Sequence, residues 1–133
     1  MRRIVDRSLA VLLIIAGGGG HAAGAIATYH DQPIALLSAL CVSVLGILIG
    51  ALNLLRTARP NDRALAWLAV GATAAWLIIS VILGFLIGNL LDPRVIGFVL
   101  ITAGLIYFGL TTALPSGTLL GRRRTGQQQS RVA

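Results

Sequence analysis

Four stretches of the chain, residues 8–29, 34–55, 64–86 and 95–114, contain no Asp, Glu, Lys or Arg. Each is at least 20 residues long. At 1.5 Å rise per residue such a stretch spans about 30 Å as a helix, the thickness of a bilayer's hydrocarbon core. Lipid offers a backbone no hydrogen bonds, so a spanning segment must satisfy its own N–H and C=O groups. The period-two alternation of a membrane strand is absent. Hydrophobic residues make up 56% of the sequence and charged residues 11%, where soluble domains carry about 25% charged residues. The reading is an all-α integral membrane four-helix bundle.

The polar punctuation between the runs supports that division. Pro33 and Pro93 stand where the second and fourth helices begin, Pro115 follows the fourth, and no proline interrupts a run. Proline suits a helix's first turn, and a short polar side chain beside it can cap the free N–H groups. Asp31 or Gln32, Asn61 or Asp62, and Asp92 are placed for that role. The short connections predict antiparallel, up-down neighbours. Residues 1–115 form the membrane domain. Residues 116–133, SGTLLGRRRTGQQQSRVA, are polar and basic and predict a disordered tail.

All eleven basic residues are arginine, all four acidic residues are aspartate, and the net charge is +7. Arg2, Arg3 and Arg7 precede the first run, Arg56, Arg59 and Arg63 separate the second from the third, and Arg122, Arg123, Arg124 and Arg131 follow the fourth. Only Arg94 falls on the other side. Cytoplasmic loops carry the excess of basic residues, so both termini are expected in the cytoplasm of a bacterial inner membrane. The partners implied are anionic lipid headgroups at that face, not nucleic acid. A rival reading takes the basic start, LAVLLIIA and Ala25-Ile26-Ala27 as a cleaved signal peptide. The apolar run continues through that point to Tyr29, which suits an uncleaved span.

The stretch AGGGGHAAG, residues 16–24, has no proline or charge to break it and reads as continuous helix. Small residues recur at helical spacing as Gly20 and Gly24, Gly46 and Gly50, Gly84 and Gly88, and Gly97 and Gly104. Such stripes let membrane helices approach closely, within a bundle or against a second copy or another membrane protein. His21 shares a helix face with Gly17, Gly24 and Thr28. An ionisable residue inside a span is a functional candidate by default. Asn53, one turn from the end of the second run, is either interhelical glue or part of a polar path. His30, Asp31, Asp92 and Arg94, with Asn89, fall in the two connections expected outside.

Other chemistry is disfavoured. With Cys41 alone there is no intramolecular disulfide and no multi-cysteine metal site. His21 and His30 lie about 13 Å apart along a helix and on opposite faces, so one haem iron cannot take both. No cofactor or metal is expected. No nucleophile–base pair is evident, and no carboxylate is expected within a membrane span to couple protons.

The segments GHAAGAIATYHDQP, GALNLLRTARPNDRALAW and IGNLLDPRV resemble a set of small four-span bacterial inner-membrane proteins of no established activity. The resemblance spans most of residues 3–110 and implies architecture alone. The functional expectation is a non-enzymatic accessory protein that works by helix packing. Its alternative is a small-solute transporter or channel with a polar path through His21, Thr28 and Asn53.

Overall fold

The structure, a computed structural model, describes residues 1–114. Pro115 and the tail predicted at 116–133 lie outside the described residues. Among the described residues every regular element is a helix. α1 (Arg2–Leu13) runs through a π-helical segment (Ile14–Gly20) into α2 (His21–Tyr29). α3 is Pro33–Ala58, α4 Arg63–Leu86 and α5 Pro93–Ala113. With the first three segments counted as one span, four helices of 28, 26, 24 and 21 residues are long and apolar enough to cross a membrane.

Two helices run further than the charge-free stretches. The first begins at Arg2 and the second ends at Ala58. Arg2, Arg3 and Arg7 therefore do not precede a helix, Arg56 does not lie between helices, and Asp6 is a carboxylate within one. Hydropathy marks where lipid begins, whereas a helix continues until something stops its hydrogen bonding. Here the stop is Pro60, whose ring disfavours helical geometry in the residue before it. Arg59 is accordingly non-helical, with φ −119° and ψ 68°.

Capping follows the sequence at two of three starts. The Asp62 carboxylate accepts from the Leu65 N–H at 3.0 Å, and the Asp92 carboxylate from the Arg94 N–H at 2.8 Å. Neither Asp31 nor Gln32 caps α3; Asp31 lies 2.7 Å from the His30 ring instead. α4 ends in a Schellman turn. The Gly88 N–H donates to the Phe85 carbonyl and the Asn89 N–H to the Gly84 carbonyl, with Gly88 at φ +68°. Gly88 is thus a turn residue and not part of a packing stripe.

The start of α1 meets the end of α3, where Asp6 bonds Arg56, and the start of α4 meets the end of α5, where Val70 lies over Gly109. These four ends make the arginine-rich end of the bundle. Midway, the backbones of Gly17 and Gly46 almost touch. A Cβ on Gly46 would lie 3.0 Å from the carbonyl of Gly17 and 3.1 Å from the Trp76 ring. Gly50 approaches the Ala10 carbonyl, Gly84 packs under Val95 and Leu90, and Gly104 takes the Leu9 side chain. The core formed there is Ala10, Leu13, Ile49, Trp76 and Leu105.

Polarity is inverted relative to a water-soluble bundle. Ser43, Asn53, Thr73, Ser80 and Thr102 are buried, while Ile34, Leu48, Ile78, Phe85 and Leu100 are exposed. The buried Ser43, Thr73, Ser80 and Thr102 hydroxyls donate to carbonyls four residues back, which removes the penalty for placing them out of water. An aliphatic exterior around a small, internally satisfied polar interior is what lipid as solvent selects.

Candidate functional site

The two ends of the bundle differ. At the arginine-rich end a buried polar network ties all four spans together. The Arg56 Nη2 donates to Asp6 Oδ1 at 2.5 Å, and these side chains are 1% and 11% exposed. The Arg56 Nη1 reaches Thr112 Oγ1 at 3.3 Å and its Nε reaches Asn53 Oδ1 at 3.4 Å. Asn53 Nδ2 donates to Thr73 Oγ1 at 2.9 Å and to the Ile49 carbonyl at 3.0 Å. Arg7 Nε adds a long contact to Thr57 Oγ1 at 3.4 Å. A guanidinium buried in this way needs both a counter-charge and partners for its remaining donors, and this constellation supplies them.

The opposite half is open. α2 packs on α3 and on the π-helical segment, and it leans away from α4 and α5. A groove of about 760 Å³ lies in the space left. Its first wall carries Gly20, His21, Gly24 and Thr28. Ser80 and Leu83 of α4 and Gly97, Phe98 and Ile101 of α5 form the other side. Tyr29, Asn89, Asp92 and Arg94 gather at its mouth, the end away from the buried network. Gly24 and Gly97 have nothing within 4 Å of where a Cβ would stand, so the chain itself does not fill the space between them.

The π-helical segment places His21 there. The buried side of the first span runs Asp6, Ala10, Leu13, Gly17, the 3.6-residue spacing of one helical stripe. Continued without a break, that stripe would carry His21, Gly24 and Thr28 into the bundle. The wider π turn adds a residue, and the buried positions become Gly18 and Ala25 instead. Gly17 therefore faces Trp76 and Phe98, while His21, Gly24 and Thr28 line the groove. The shared face read from an uninterrupted helix is split in two.

No family model, curated protein or solved structure matches the chain. The site is accordingly read from its own geometry.

That geometry separates residues the sequence grouped. His21 and Thr28 belong to the groove, whereas Asn53 belongs to the buried network at the other end. Gly46, Gly50, Gly84 and Gly104 sit at contacts within the bundle; Gly20, Gly24 and Gly97 do not, because the leaning α2 leaves them facing the groove. His30, Asp31, Asp92 and Arg94 form two separate pairs, an exposed His30–Asp31 at 2.7 Å and Arg94–Asp92 at 3.3 Å with the aspartate half-buried. Among the described residues no three His, Cys, Asp or Glu side chains converge on one point. Asp6 and Arg56 went unselected. Extending the helix period past the apolar runs would have found them, since Asp6, Ala10 and Leu13 share a stripe, as do Ile49, Asn53 and Arg56.

Trp76 adds one further feature. Its ring is buried edge-on to Phe98, with centroids 6.2 Å apart, and its Nε1–H has no partner among the described residues. Phe98, which meets the Trp76 ring edge-on, also lines the groove.

Proposed function

We propose that the chain is a small non-enzymatic accessory protein of a bacterial inner membrane, threaded up and down four times with both termini in the cytoplasm. It works by binding a membrane component in the groove between α2 and α4–α5. The observation that carries this reading is the open space between Gly24 and Gly97, which no side chain of the described residues occupies. The charged residues at the closed end support a binding rather than a catalytic role. Asp6 and Arg56 bond to each other and to neighbouring helices, and neither lines the groove. Arg2, Arg3, Arg59 and Arg63, exposed at that end, face anionic headgroups in this reading.

Native mass spectrometry of the protein released from membranes tests it. A retained mass, whether a second copy, another membrane protein or a lipid, is expected for the wild type and is lost on Gly24→Leu. A bare chain under conditions that preserve membrane complexes overturns the reading.

A second reading, a transporter or channel for a small solute, is favoured by one observation. The groove admits access from the outer mouth to His21, while the Asp6–Arg56 network closes the other end. It requires water to reach past Trp76. In a Cys41→Ser background, Thr73→Cys should then react with a membrane-impermeant thiol reagent added outside, and a Thr73→Cys that never reacts removes this reading.

A further inference from the structure

The groove has a depth, a cross-section and a polar end, and together these select an occupant. Along the first span it extends from Tyr29 to Ala16, and along α5 from Arg94 to Ile101. At 1.5 Å per residue these are about 20 Å and about 10 Å. Half of a hydrocarbon core is about 15 Å. The groove therefore descends through one leaflet and stops where Gly17, Gly46 and Trp76 close the bundle.

A volume of about 760 Å³ spread over about 15–20 Å gives a long, narrow space with a mean section of roughly 40–50 Å². A flexible hydrocarbon chain can follow it from mouth to floor.

Its charge lies at one end. Below the mouth the walls are apolar except for His21, Thr28 and Ser80. Arg94 at the mouth is the only arginine among the described residues at that end, and its side chain is 87% exposed. Asp92 engages its Nε at 3.3 Å and its backbone N–H, leaving the Nη donors free to face outward. A planar guanidinium fork with free donors matches a phosphate oxygen pair.

We propose that the groove holds one acyl chain of an anionic phospholipid of the outer leaflet, whose phosphate group rests on the Arg94 guanidinium. This rests on the groove being the working surface, as argued above, and names what it takes. His21 lies about 12 Å below Tyr29 along the helix, at the level of the chain rather than of the headgroup.

The full chain reconstituted in nanodiscs of equal phosphatidylglycerol and phosphatidylcholine, then extracted into mild detergent, tests the proposal by mass spectrometry of retained lipid. The wild type should keep one phosphatidylglycerol per chain, enriched roughly tenfold over phosphatidylcholine, as one charge-assisted contact allows. Gly24→Leu with Gly97→Leu should lose it. Both positions have open space at Cβ, so the bundle survives, and an unchanged melting transition verifies that. Gly71→Leu, exposed and outside the groove, should keep the lipid. Arg94→Gln should keep a lipid but lose the preference for phosphatidylglycerol. A lipid ratio equal to that of the membrane, or retention unaffected by the paired leucines, overturns the proposal. So does a preference for phosphatidylglycerol that Arg94→Gln leaves unchanged. A retained protein in place of lipid also overturns it yet leaves the accessory reading standing, whereas a bare chain ends both.

Discussion

Arg56 of α3 and Asp6 of α1, fifty residues apart in sequence, form an ion pair inside the bundle with side chains 1% and 11% exposed. The pair joins the first span to the second at the arginine-rich end of the bundle, and through Asn53, Thr73 and Thr112 it reaches the other two. Removing one member leaves the other buried without its counter-charge, at about 3–5 kcal/mol. Asp6→Ala and Arg56→Met should each lower unfolding stability in mixed micelles by that order. The double variant Asp6→Leu/Arg56→Met should recover most of the loss, because apolar replacement of both partners is often neutral. Losses that simply add would show that the two side chains do not depend on each other.

The Gly17–Gly46 crossing makes a contrast with Gly71. A Cβ on Gly46 meets the Gly17 backbone at 3.0 Å, and backbone cannot swing aside. Gly46→Ala should therefore destabilise by about 1–3 kcal/mol through forced separation of the first two spans. Gly71 has open space, and Gly71→Ala should stabilise by up to about 1 kcal/mol through helix propensity alone. The same denaturation series measures both, and equal effects would count against the close crossing.

Gly88 holds a left-handed conformation at φ +68°. An alanine there adopts it at a cost of about 1–2 kcal/mol, and asparagine, which tolerates it better, costs less. Thermal denaturation should rank wild type above Gly88→Asn above Gly88→Ala. A reversal of the two variants would mean that the turn is not the one described.

The threading is tested by fused reporters. An alkaline phosphatase joined after Asp31 should be active outside the cytoplasm, and one joined at the C-terminus should be inactive, as expected from ten arginines against one. The opposite pattern would invert the bundle and put the groove on the cytoplasmic side.

The architecture was largely legible because lipid imposes a simple rule. Charge-free runs located four helices, and Asp62 and Asp92 announced where two of them begin. The same rule concealed Asp6 and Arg56. Reading a helix as ending at its first charge discards those charges that sit on the buried stripe, and the stripe, not the hydropathy, carries that information. The groove was illegible for another reason. Nothing in four consecutive glycines declares whether the turns they form are α or π, since glycine imposes no side-chain constraint on either. The difference is one residue of register, and it decides whether His21 enters the bundle or lines its open side.

That register gives the first span two independent phases along one axis. One added residue turns everything beyond it by about 100°, so α1 and α2 present their sequences to different neighbours although the axis never breaks. A chain shortened by one glycine between Ile15 and His21 would restore a single phase. The deletion would remove only the residue that the π turn absorbs, so Ala25 would keep its buried place and the imidazole its place on the groove wall, whereas the same glycines wound as α-helix without a deletion would carry His21 into the bundle.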